Sequence, residues 1–197
     1  MLNRRNFILS VSAATAAKAL PVAAFAQSAA PSAAQIEKSL SVQPTRKIRR
    51  EDRVMRKDFG RDLRRRSDVR DRVRIAAPSI DIQAINFEFG SARIPRSEQW
   101  KVEEIAIAMR RILRRNRGEV FLIEGHTDAV GSNYNNQLLS EDRAASLKRV
   151  LVRRFNVDSY ALETVGYGEE YLLIQTPREE WRNRRVTLRR VTDFVVR

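Results

Sequence analysis

GHTDAVGSNYNNQLLSEDRAASL, from Gly125 to Leu147, is the stretch on which the reading of this chain turns. It follows VFLI (Val120 to Ile123), so a short apolar strand closes into a polar turn and a helix then opens. On that helix Asn136, Leu139, Ser140, Arg143 and Leu147 share a face, because residues seven apart drift by only about 20°. Asp128 sits at the strand's end, where the chain turns toward that face. An acid and a base held on two rigid elements across one cleft suit a ligand that carries both an amine and a carboxylate.

The elements around this stretch follow from periodicity. A strand is expected over Ile80 to Phe89, with a bulge between Ala84 and Ile85, where the alternation changes phase. Ile85, Phe87 and Phe89 then point to one face, and Gly90-Ser91 turns the chain. Ser97 is the expected N-cap of a helix running to Asn116, with Val102, Ile105, Met109 and Ile112 as its buried stripe and Gly118 as its stop. Glu119 to Glu124 reads as the second strand and Asn133 to Phe155 as the second helix, with Leu139, Leu147, Val150 and Leu151 toward the sheet. Strands over Leu162 to Tyr167 and Arg184 to Val191 complete the set; in the last, Val186 and Leu188 alternate with Arg185, Thr187 and Arg189. Two successive β-α-β crossovers imply parallel neighbouring strands with helices on one face.

The run from Gly125 resembles the OmpA C-terminal-like family, the peptidoglycan-associating domain of bacterial envelope proteins. The family pattern is a GHTD turn, a short Gly/Ser loop and then N-x-x-L-S-x-x-R-A on a helix. Gly125, His126, Thr127, Asp128, Gly131, Asn136, Leu139, Ser140, Arg143 and Ala144 match it. Three further motifs follow the same order: NFEFGSARI (Asn86 to Ile94), GYGE (Gly166 to Glu169) and NRRVTL (Asn183 to Leu188). The resemblance implies an α/β (α+β) fold, a two-layer βαβαβ(β) sandwich with helices on one face of a small mixed sheet. It implies a non-catalytic role, with the diaminopimelate side chain of the peptidoglycan stem peptide as ligand. Carried onto this chain, Asp128 is the acid for the ammonium and Arg143 the base for the carboxylate. Asn136 positions the loop, while Thr127, Gly131, Gly90 and Ser91 offer further polar groups. Two departures stand out: Tyr134 precedes two Asn residues rather than one, and no Pro follows GYGE closely, which leaves Trp181 in an unusual place.

Other readings of the same residues stay open at this point. Asp128 and Arg143 would also serve as a bracing ion pair with no ligand. Arg184 and Arg185 fit a cleft wall or a solvated strand face equally well. His126, the one histidine, reads as a hydrogen-bonded turn residue rather than a base or metal ligand, because no partner set is indicated. There is no Cys, which removes disulfides, thiolate metal sites, Cys nucleophiles and an N-terminal lipidated Cys. No catalytic residue, metal or cofactor is expected.

Composition adds the setting. The chain has 197 residues and a formal charge of +14, so it should seek anionic surfaces. MLNRRNFILSVSAATAAKALPVAAFAQ has the basic start, apolar middle and Ala24-Phe25-Ala26 site of a secretory signal. Arg4-Arg5, followed by Phe7 and Leu9, looks like a twin-arginine signal, and cleavage after residue 26 would remove three cations and no acid. No membrane-spanning segment is expected afterwards. Residues 27–79 read as a basic, flexible linker, dense in Arg from Thr45 to Ile75, with Met55, Phe59 and Leu63 at a helical four-step. That linker suits an anionic envelope surface, whether lipid, lipopolysaccharide or a protein partner. Nucleic acid is a poor fit, because Phe59 is its one aromatic. The expected organisation is thus a signal over 1–26, the linker, and a binding domain over 80–197 in the periplasm, at the wall or outer membrane.

Overall fold

The computed structural model describes residues 30–44, 47–82, 85, 87–88 and 90–196. The export signal lies outside these residues, as do Phe89 and Ala84, one side of the expected bulge. Helix α1 (Ala33–Leu40) starts from a reciprocal cap in which Gln35 N–H donates to Ser32 Oγ and Ser32 N–H donates to Gln35 Oε1. Ile36 and Leu40, four residues apart, share its buried side.

The next segment departs from the solvated linker expected from its charge. Strand β1 (Val54–Met55), helix α2 (Phe59–Arg65) and helix α3 (Ser67–Ala76) carry a second core. Phe59, Leu63, Val69 and Val73 are all fully buried, packed with Leu122, Val165, Val191 and Phe194. The reason lies in spacing: 59/63 and 69/73 are helical four-steps, so two short helices each gather their few apolar residues on one side. That stripe is too narrow to support a free helix, but it suffices against an apolar sheet face. Met55, at the same four-step, stays exposed.

Strand β2 (Ser79–Ile82) leads toward Ile85 and Phe87, both buried in the main core. Helix α4 (Gln99–Arg115) follows a short 3-10 turn over Arg96–Glu98, so Glu98 and not Ser97 occupies its N-cap. Its stripe of Val102, Ile105, Met109 and Ile112 is buried as the periodicity predicts. Strand β3 (Phe121–Gly125) and helix α5 (Asn133–Phe155) come next, with Ser132 Oγ accepting from Asn135 N–H at the helix start and Asn156 left-handed at its end. Strands β4 (Leu162–Gly166), β5 (Val186–Arg190) and β6 (Val195–Val196) complete the set.

The sheet order is β2-β5-β3-β4, with β6 pairing β1 apart from it. β3 and β4 are parallel neighbours, as expected for a β-α-β crossover. The first crossover differs: β5 inserts antiparallel between β2 and β3, so these two are not neighbours. This is the mixed sheet of the expected α/β sandwich. α1, α4 and α5 cover one face, against Phe121, Ile123, Val186 and Leu188. α2 and α3 add a layer on the other face, over Leu122 and Val165. Arg185, Thr187 and Arg189 are therefore buried rather than solvated. Arg189 Nε meets Glu124 Oε1 at 2.7 Å, a pair taken almost wholly out of water. Among the described residues no helix is long and apolar enough to cross a membrane.

Candidate functional site

Gly125 and Gly166 face each other across β3 and β4, and α5 crosses directly over them. A Cβ on Gly125 would lie 2.0 Å from Ser140 O, and one on Gly166 2.4 Å from Glu141 N. Two glycines thus let the helix backbone rest on the strand ends. Ser140 Oγ uses the contact twice, donating to Gln137 O and accepting from Gly168 N–H at 2.8 Å each. Gly168 O in turn accepts from Thr127 N–H at 2.9 Å. The GHTD turn, the GYGE turn and the first half of α5 are locked around one spot.

Arg143 projects from α5 into that spot and is 1% exposed. Its Nε donates to Ser91 O at 3.0 Å, Nη1 to His126 O at 3.3 Å and Nη2 to Glu88 O at 3.4 Å. The guanidinium carbon lies 5.1 Å from the Phe87 ring centroid. Three of five N–H groups are thereby spent on backbone carbonyls, leaving one each on Nη1 and Nη2. Among the described residues Arg143 forms no ion pair with a carboxylate. Burial, and then Arg184 nearby, lower its guanidinium to about 10, with Asp128 opposing the shift. It remains a cation at neutral pH.

Asp128 is 3% exposed and lies on the same cavity of about 210 Å³. Its Oδ2 accepts from Arg184 Nη1 at 2.7 Å. The bracing pair considered from sequence therefore forms with Arg184, not with Arg143. Gly90, Thr127, Gly131 and Asn136 line the cavity beside Asp128 and Arg143, so six of the seven expected site residues converge. Ser91 does not line it; its carbonyl holds Arg143 instead. Gly90 and Gly131 both have positive φ, 65° and 108°, which is the reason glycine serves at these turns. Asn136 Nδ2 donates to Val130 O at 3.2 Å and to Glu169 Oε2 at 2.6 Å, the loop-holding role expected of it.

Arg184, left open between cleft and strand face, belongs to the cavity; the strand expected from Arg184 begins only at Val186, so alternation does not govern which way Arg184 turns. Leu139, expected toward the sheet, is half-buried on the cavity wall. His126 is buried and its N–H donates to Arg185 O at 3.0 Å, in keeping with a turn residue. Burial first, then Arg185, Arg74 and Arg189, hold its imidazole well below 6.5, so it stays neutral. The whole arrangement offers a fixed cation and a fixed anion in a space below the ~300–1,000 Å³ of sites for drug-sized ligands. It suits the charged end of a side chain rather than a whole sugar.

The OmpA family model matches residues 86–185. The chain is 32% identical over 104 residues to outer membrane porin F of Pseudomonas aeruginosa, covering 52% of this chain and 29% of that protein. It is 42% identical over 66 residues to outer membrane protein Omp38 of Acinetobacter baumannii, covering 32% of this chain and 18% of the other. The chain thus spans less than a third of the length of these curated relatives. Among solved structures, the peptidoglycan-associated lipoprotein of Burkholderia pseudomallei has a TM-score of 0.45 at 23% identity, covering 54% of this chain and 86% of that one. The C-terminal domain of Helicobacter pylori MotB has a TM-score of 0.46 at 21% identity, covering 53% and 80%.

Proposed function

The chain belongs to the OmpA family, and from that premise we propose that it is a non-catalytic envelope protein which grips peptidoglycan noncovalently through diaminopimelate. One observation carries the reading: Asp128 and an Arg143 that pairs with no described carboxylate line the same small cavity. The two remaining guanidinium N–H groups suit the distal carboxylate of diaminopimelate, since an Arg fork receives such a group in two parallel bonds. Asp128 Oδ1 is left to accept from the ammonium while Arg184 holds Oδ2. Each charge-assisted contact is worth about 1.5–3 kcal/mol, so two of them together with the neutral contacts around them bring binding roughly to the micromolar range. That is adequate for a polymer with many repeated sites. A lysine-type stem lacks the distal carboxylate and would leave the Arg143 cation buried without a partner.

The setting proposed with it is the periplasm, against the wall or the outer membrane, reached through a twin-arginine signal over residues 1–26. The binding unit is the 80–197 domain. Replacing Arg4 and Arg5 with Lys should strand the precursor in the cytoplasm, seen by fractionation; normal export would point to the general secretory route.

Co-sedimentation with sacculi tests the site. Wild type should pellet with diaminopimelate-type and poorly with lysine-type walls. Asp128→Asn, which keeps the shape and removes the charge, should lose about ten-fold or more in affinity, and Arg143→Ala at least as much. Equal pelleting in every combination would overturn the reading. A second, electrostatic reading draws on the Arg-rich segment over 45–75. It is favoured because the segment buries most of its apolar side chains and keeps most of its Arg heads outward.

A further inference from the structure

A groove of about 840 Å³ opens beside β4, one of the two edge strands of the sheet, between α2 and α5. Its wall carries Arg56, Lys57, Arg61, Arg64 and Lys148 against one lining carboxylate, Glu163. Arg56 and Glu163 are loosely paired at 3.8 Å, and Arg61 is held by Asp58. Lys148 Nζ donates to Leu162 O at 2.6 Å, which fixes its head at the strand edge. Lys57 and Arg64 are exposed and form no ion pair with a described residue. None of these residues lines the Asp128–Arg143 cavity, and the four from Arg56 to Arg64 precede the part matched to the OmpA family.

Like charges brought together on one concave wall repel one another, and a multivalent anion relieves that repulsion. Three of the five are Arg, whose planar forks match phosphate oxygens, and the two Lys heads add point charges. The excess of several positive charges exceeds what one carboxylate would neutralise. We propose that this groove binds a ligand bearing two or more phosphate groups. The proposal gives the electrostatic reading of the 45–75 segment a definite site and does not depend on wall binding.

Two probes separate the possible sources: inorganic pyrophosphate, and vesicles of phosphatidylcholine containing cardiolipin, whose headgroup carries two phosphates, with pure phosphatidylcholine as blank. The purified full chain, wild type, is compared with Lys57→Ser/Arg64→Ser and with Arg110→Ser/Arg114→Ser, which removes the same charge from exposed positions on α4. Saturable binding of either probe, weakened about ten-fold by the groove pair and less than two-fold by the α4 pair, supports the site. Pyrophosphate alone identifies a free phosphate ligand, and vesicles alone identify a headgroup. Equal weakening by both pairs, or no saturable binding of either probe, would overturn it. Sacculus binding, read on the same variants, should be unchanged by the groove pair, so failure here is distinct from failure of the Asp128–Arg143 site.

Discussion

Arg143 has two duties that a shorter or differently shaped cation cannot share. Its planar fork ties the 88–91 turn and His126 to α5 through three carbonyls, and the same residue lines the cavity. A lysine keeps the charge but cannot span three acceptors in one plane. Arg143→Lys should therefore lose wall binding and also destabilise the fold by about 1–3 kcal/mol, read from urea unfolding. His126 offers a cleaner test, because it is the only histidine in the chain. Its folded-state value is held below 6.5, so on acidification the unfolded chain takes up the proton first. Stability from this group is complete above about pH 6.5 and declines below it, by up to ~1.4 kcal/mol per pH unit while the folded imidazole stays neutral. His126→Gln should lose that slope between pH 6.5 and 5; an unchanged slope would show that other groups set the acid response. At this scale Asp128, Arg143 and Asn136 were legible because each stands at a fixed step from a turn or along a helix. Arg184 was not, since the strand expected to begin there begins only at Val186, and alternation does not say where a residue ahead of it points.

The packing of α5 on β3 and β4 is an element-scale property resting on two hydrogens. Gly166→Ala would push a methyl to 2.4 Å from Glu141 N and Ser140 Oγ, and the backbone atom cannot swing away. The helix must move, at a cost of about 1–3 kcal/mol, and the move carries Arg143 with it. Reduced unfolding free energy together with weakened sacculus binding is the expected outcome; loss of stability with full binding would uncouple α5 position from the site. The bounds of α5 were readable because a polar turn opens onto a long amphipathic pattern. The place of β5 in the sheet was not. Strand identity follows from alternation, but strand order follows from which hydrogen-bonding edge is still open when the strand arrives.

Across the molecule, the outer layer of α2 and α3 decides how much of the chain folds as one. Phe59 is fully buried in the second core, so Phe59→Ala should cost about 3–5 kcal/mol. The loss should appear as a shifted midpoint in a single cooperative transition, because that core shares Leu122 and Val165 with the sheet. A separate early transition confined to the 54–77 region would mean the layer is an independent appendage. Sequence alone settled the mixed α/β class and the two long helices, and it placed Asp128 and Arg143 near one turn, because periodicity and turn chemistry are local and these features need nothing more. Only the tertiary structure decided the remainder: that the Arg-rich segment is a folded layer, that Arg184 takes Asp128, and that Arg185 and Arg189 are buried. Each of these depends on what lies opposite in space. Sparse apolar residues and strand-borne arginines look solvated until a second surface arrives to cover them.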